Sequence, residues 1–131
     1  MAHTTPKVWV AIWGREVQAE VRVPGETISS IVLDTPAWKE WLEQPSTRSF
    51  AYPIYDEQVG YIRAFMTVRK EQRRRGSTYW VAYRRNGARL GKIYLGGAGQ
   101  LSQQTLAAVA ARFLILARAE AELSDRKEVS A

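Results

Sequence analysis

Three features of the sequence predict an α+β protein. Apolar and polar residues alternate over 16–23 and 61–70, Asn86-Gly87 sits between two further alternating runs, and an apolar stripe of helical spacing follows Ser102. The predicted architecture is an antiparallel three-stranded sheet packed on a C-terminal helix, with an N-terminal β-hairpin and a short Trp-rich helix ahead of it. The 131 residues are expected to divide into a hairpin extension (1–33), a sheet-plus-helix unit (34–123) and a flexible tail (124–131).

The elements follow in order. Val17, Ala19, Val21 and Val23 alternate with Glu16, Gln18, Glu20 and Arg22, the period-2 pattern of a half-buried strand. The run 8–13 is apolar on both faces, and Gly14 after it predicts pairing of the two runs as a hairpin. Pro24-Gly25 marks a turn. Asp34-Thr35-Pro36 is a helix start, with a capping side chain before a proline whose missing N–H costs nothing at the first helical position. Trp38, Trp41 and Leu42 then share one helix face, and the helix ends by Pro45. Phe50, Tyr52 and Ile54 alternate, but Pro53 cannot donate to a ladder, which predicts an edge strand or an irregular segment.

The run 61–70 sets Ile62, Ala64, Met66 and Val68 against Tyr61, Arg63, Phe65, Thr67 and Arg69: one apolar face and one cationic, aromatic face. Asn86-Gly87 joins two more strands, 78–85 and 88–95. With Asn86 and Gly87 as the loop, Arg84 opposes Arg89 and Tyr83 opposes Leu90. Tyr79, Val81, Tyr83, Leu90 and Tyr94 then form a mostly apolar face for the final helix to cover. Trp80, Ala82, Arg84, Arg89, Gly91 and Ile93 are expected on the exposed face. Directly opposed arginines either hold an anion between them or splay into solvent. Trp80 either packs under the N-terminal hairpin or contacts a base or sugar. Leu101 precedes the Ser102 cap and can staple onto Leu106, while Leu106, Val109, Ala110, Phe113, Leu116 and Ala117 line one helical stripe.

Charge is local in this chain. Of its 19 basic residues, ten lie between Arg63 and Lys92 with only Glu71 opposing them, so that stretch carries +9 while the rest sums to −3, giving the net +6. A folded, cationic, aromatic surface suits a polyanion. Cysteine is absent, so no disulfide, thiolate nucleophile or Cys-based zinc site is expected. His3 is the sole histidine, and the carboxylates are scattered at helical or tail spacing. The reading is a non-enzyme without metal or cofactor, soluble, cytoplasmic and not membrane-bound.

Tyr79-Trp80-Val81-Ala82-Tyr83-Arg84-Arg85, a short turn, Gly91-Lys92-Ile93-Tyr94-Leu95-Gly96 and an alanine-rich helix together resemble two DNA-binding domains. One is the three-stranded domain of ethylene-response-factor plant regulators, the other the arm-binding domain of tyrosine recombinases. This resemblance implies that Trp80, Arg84 and Arg89 face DNA in the major groove, with Arg73, Arg74 and Arg75 on phosphate. The segment Thr35-Pro36-Ala37-Trp38-Lys39-Glu40-Trp41-Leu42, with Ser49-Phe50, Val68-Arg69-Lys70-Glu71 and Tyr94-Leu95-Gly96, resembles the region before the nucleotide-binding module of bacterial LuxR-type, MalT-like regulators. That second resemblance implies a regulatory or mobile-element setting. No phosphate-binding loop accompanies it.

The functional expectation is a double-stranded DNA-binding protein, a transcriptional regulator or mobile-element accessory factor, possible as a homodimer. Trp80, Arg84, Arg85, Arg89 and Lys92 would enter a groove while Arg69, Lys70, Arg73, Arg74 and Arg75 hold phosphates. Two alternatives stay open: a small protein-interaction adaptor, and a single-stranded DNA or RNA binder that stacks bases on Tyr61, Phe65 and Trp80.

Overall fold

A computed structural model describes residues 6–13, 16–23, 29–86 and 89–129. Its strands are β1 (Lys7–Trp13), β2 (Glu16–Val23), β3 (Ser29–Val32), β4 (Ser49–Asp56), β5 (Tyr61–Gln72), β6 (Thr78–Asn86) and β7 (Arg89–Gly96). Helix α1 (Pro36–Glu43) lies between β3 and β4, and α2 (Gln103–Val129) follows β7. The strands form one seven-stranded sheet in the order β3-β2-β1-β4-β5-β6-β7. Every neighbouring pair is antiparallel except β1 and β4, which run parallel with Lys7 opposite Ala51.

This corrects the expected three-stranded antiparallel sheet. Strand periodicity identifies which segments are extended, but the number sharing a sheet depends on pairing between distant segments. The decisive link is the Ala51 N–H donating to the Pro6 carbonyl at 2.8 Å, which brings the N-terminal hairpin onto β4. It also explains Pro53, which lies in the middle of the sheet rather than at an edge. The Ala51 N–H points toward β1, so the nitrogen two residues on points the same way, and the β1–β4 register is confined to Lys7 and Ala51.

Both helices lie on one side of the sheet. Thr35 caps α1, its hydroxyl accepting from the Trp38 N–H at 3.3 Å, with Pro36 at the first helical position. Trp38, Trp41 and Leu42 are buried as their spacing predicts. Trp38 donates from Nε1 to the Leu101 carbonyl at 2.7 Å, and Asp34 accepts from the Gln103 N–H at 3.0 Å, so the entry of α1 also caps the start of α2. The Leu101 and Leu106 staple is buried as well. One core cluster joins Val8, Val21, Leu42, Phe50, Met66, Val68, Trp80 and Phe113, uniting the N-terminal strands with the rest of the sheet. Within the α2 stripe Leu114 is buried and Leu116 is 55% exposed, and the helix runs on to Val129, past Ser124. No helix among the described residues is long and apolar enough to cross a membrane.

The helix-covered face is the reverse of the one expected. In the observed register Asn86 opposes Arg89, Arg84 opposes Gly91 and Tyr83 opposes Lys92. Gly87 of the expected turn lies outside the described residues, and the pairing is offset by two from the expected one. Arg84 and Arg89 are not directly opposed, which removes the argument for an anion between them. An even offset keeps the two side-chain sets intact. α2 packs on the set containing Trp80, Ala82 and Gly91 because those small residues admit its large ones. A Cβ at Gly91 would stand 2.9 Å from the Phe113 ring. Covering the other set would bury several tyrosine hydroxyls instead.

Candidate nucleic-acid interface

The face of β5–β7 opposite the helices carries Phe65, Thr67, Arg69 and Glu71 from β5, Tyr79, Val81, Tyr83 and Arg85 from β6, and Leu90, Lys92 and Tyr94 from β7, by strand alternation and register. Tyr94 is 57% exposed and Phe65 41%, while Tyr79 and Tyr83 are half-buried. Val81 is fully buried although it belongs to this face. Arg69 and Tyr94 flank it across the strands and Tyr79 and Tyr83 along its own, so their side chains close over it into a continuous surface.

Cations and rings interleave on that surface. The Arg73 guanidinium lies 5.2 Å from the Tyr79 ring centre and 5.9 Å from that of Tyr94, and donates to the Tyr94 hydroxyl at 2.8 Å. Arg69 and Lys92 approach the Tyr83 ring at 5.9 and 5.7 Å. Tyr79 and Tyr94 pack with centroids 5.5 Å apart. Lys7, on the same face of β1, sits 5.3 Å from Phe65 and extends the pattern across the sheet. Such cation–π contacts are worth about 0.5–1 kcal/mol at exposed sites. Arg73 reaches back because the β5–β6 turn is tight: the Arg73 N–H donates to Ser77 O at 2.8 Å, the Gly76 N–H to Arg73 O at 3.0 Å, and Gly76 supplies φ +87°.

A single carboxylate at the turn end of β5 gathers two of the tyrosines. Glu71 accepts from the Tyr79 hydroxyl at 3.0 Å and, through its other oxygen, from the Tyr83 hydroxyl. The Tyr83 hydrogen bond, helped by Tyr79, Lys92 and Arg69, holds the Glu71 carboxyl below its ordinary range against the opposing pull of burial. The same hydrogen bonds, with burial, raise both tyrosine hydroxyls above theirs. At neutral pH the cluster is one anion bracketed by two neutral donors and three cations.

The residues proposed from sequence separate by face. Arg69, Arg73, Arg85 and Lys92 stand on the open face, and Arg74 and Arg75 are exposed at the β5–β6 turn. Trp80 does not contact solvent: it is 1% exposed, with its ring centre 5.6 Å from that of Phe50, so its expected groove contact is withdrawn. Lys70 is on the helix side, 5.4 Å from the Trp80 ring and donating to the Gln44 carbonyl at 2.9 Å. Burial lowers the Lys70 ammonium, partly offset by Glu43. Arg84 is half-buried on the helix side. The side chain of Arg89, like those of Trp9 and Trp13, lies outside the described residues.

The set of site residues proposed from sequence omitted Glu71, Tyr79, Tyr83 and Tyr94. The usable signal was the Arg73–Ser77 turn, which places Glu71 opposite Tyr79 and so pairs an acceptor with a donor on one face. On the helix side a concavity of about 790 Å³ between β4 and α2 is lined by Tyr52, Ile62, Ala107, Leu114 and Arg118, among others. Burial and the charge of Asp34 push the Tyr52 hydroxyl up to about 12. Among the described residues no group of three or more His, Asp or Glu side chains could hold a metal ion. Comparison with protein families, with curated proteins and with solved structures finds no match to the chain.

Proposed function

We propose that the chain binds single-stranded nucleic acid across the open face of β5–β7, stacking bases on Tyr79, Tyr94 and Tyr83 while Arg69, Arg73, Arg85 and Lys92 hold phosphates. The observation that carries this reading is the unroofed cluster of tyrosines with Arg69, Arg73 and Lys92 within 6 Å of their rings. Exposed rings offer π-faces that only unpaired bases can meet, and each base stacked is worth about 1–3 kcal/mol.

Duplex DNA fits this surface less well. The paired, stacked bases of a duplex offer no free π-face to the exposed rings. Two of the residues assigned to the groove, Trp80 and Arg84, lie on the helix side. Arg74 and Arg75 are exposed at the β5–β6 turn and suit phosphates of either form.

Fluorescence-anisotropy titration of one sequence as single-stranded DNA, single-stranded RNA and duplex, at fixed salt, tests the reading. Single strands should bind more tightly than the duplex, with log affinity falling linearly with log salt as counterions are released. Equal or tighter duplex binding, or no binding of any form, would overturn it.

A further inference from the structure

Glu71 is out of place on a phosphate-binding surface. Between Arg63 and Lys92 it is the only acidic residue, and the hydroxyls of Tyr79 and Tyr83 converge on it at the turn end of β5. A carboxylate there repels phosphate, which is left to Arg69 and Lys92 beside Tyr83 and to Arg73 beside Tyr79 and Tyr94. Glu71 itself is left to meet a base. Each Glu71 oxygen accepts one tyrosine hydroxyl, and a carboxylate oxygen has room for a second donor. The Tyr83 and Tyr79 hydroxyls, helped by Lys92 and Arg69, keep the group ionised and therefore a pure acceptor.

Resting on the single-strand reading above, we propose that Glu71 selects guanine. On its Watson–Crick edge guanine presents two adjacent donors, N1–H and the N2 amino group, which match the two oxygens of a carboxylate. Adenine and cytosine place one amino donor beside a ring-nitrogen acceptor, and thymine or uracil places one N–H between two carbonyl oxygens. The latter two arrangements bring at least one acceptor against Glu71. Only an unpaired strand exposes this edge, so the selectivity and the preference for single strands have one origin. The Tyr79 and Tyr83 hydroxyls fix the carboxylate and make its two acceptors a rigid fork.

The test compares three single-stranded DNA oligomers by anisotropy: oligo-dT, the same strand with dG substituted at alternate positions, and that strand with deoxyinosine in place of dG, which lacks the N2 amino group. The wild-type chain should prefer the dG strand over oligo-dT by about 5- to 100-fold, with the inosine strand between them. In Glu71→Gln, nearly isosteric but with one oxygen replaced by a donor, the three affinities should converge to within about twofold, with dT gaining. Wild-type binding that ignores guanine, or a Glu71→Gln variant in which all three affinities shift by one common factor, would overturn the inference and leave Glu71 as a positioning residue for the tyrosines. Failure of all three strands to bind would instead sink the single-strand reading itself. The wild-type comparison needs no variant, so it decides even if Glu71→Gln folds poorly.

Discussion

The two faces of the sheet are both built on aromatic residues, yet they differ in kind. On the helix side Trp38, Trp41, Phe50 and Trp80 pack with centroids 5.3–6.0 Å apart, and the Trp38 indole N–H finds a backbone carbonyl inside the core. On the open side Tyr79, Tyr83 and Tyr94 satisfy their hydroxyls with Glu71 and Arg73, Tyr94 exposed and the other two half-buried. Phenol rings with partnered hydroxyls can stay at a wet surface, while indoles contribute most when buried. What separates a core from a platform here is therefore which rings the two helices cover, not aromatic content.

The largest expected effect breaks the comparison at its inner side. Trp80→Ala should lower stability by about 3–5 kcal/mol, because it opens a cavity beside Phe50 and removes the ring under Lys70. Urea unfolding should show a lower midpoint at unchanged slope, and the protein that remains folded should still bind single strands. Normal stability with lost binding would assign Trp80 to the binding face.

Much of this was legible in the sequence. Alternation located β2 and β5, Thr35-Pro36 located the start of α1, and the Leu101–Leu106 staple located that of α2, because each signal is read within a few residues. The sheet's extent was not legible, since it rests on Ala51 meeting Pro6, more than forty residues apart with nothing local to announce it. Four-residue β3 is too short to show a period. The choice of face failed for a different reason: Tyr79, Val81, Tyr83, Leu90 and Tyr94 look more apolar than Trp80, Ala82, Arg84 and Gly91 when summed by residue type. Packing is decided by fit, and Gly91 leaves the hollow that Phe113 occupies. Site residues on loop and strand surface were recovered in part, since a run of arginines shows charge but not direction.

Intermediate effects sharpen the comparison. Gly91→Ala should cost about 1–3 kcal/mol by pressing a methyl group into the Phe113 ring, and Phe113→Leu in the same chain should recover part of that loss. A silent Gly91→Ala would mean that α2 does not seat there. On the open face, Tyr94→Ala should cost about 0.5–1.5 kcal/mol of stability, for the lost pairing with Tyr79 beside Val81. Its larger cost falls on affinity, about 1–3 kcal/mol for one lost stacking partner, read by the same anisotropy titration. A destabilised Tyr94→Ala with unaltered affinity would make the tyrosine cluster a second core.

The smallest effects separate two carboxylates, one on each side. Asp56, 1% exposed on the helix side, accepts from Arg63 at 3.1 Å, from the Gln58 N–H at 3.0 Å and from Arg118 of α2. Burial alone would raise its carboxyl, but the Gln58 N–H and the two guanidinium groups outweigh that and hold it below its ordinary range. Glu71 is depressed as well, by tyrosine hydroxyls and more distant cations at a half-exposed site. A folded-state pKa below the unfolded one contributes stability that is present above the unfolded carboxylate pKa, about 4, and lost as pH falls through the folded value. Unfolding midpoints taken from about pH 7 down to about pH 3 should therefore drop for the wild-type chain. Asp56→Asn should flatten that profile more than Glu71→Gln, because solvent screens the outer cluster while Asp56 is buried at the end of β4 and bonded to Arg118 of α2. The reverse order would make Glu71 the structural anchor, and the division of the sheet into a load-carrying side and a ligand-facing side would fail with it.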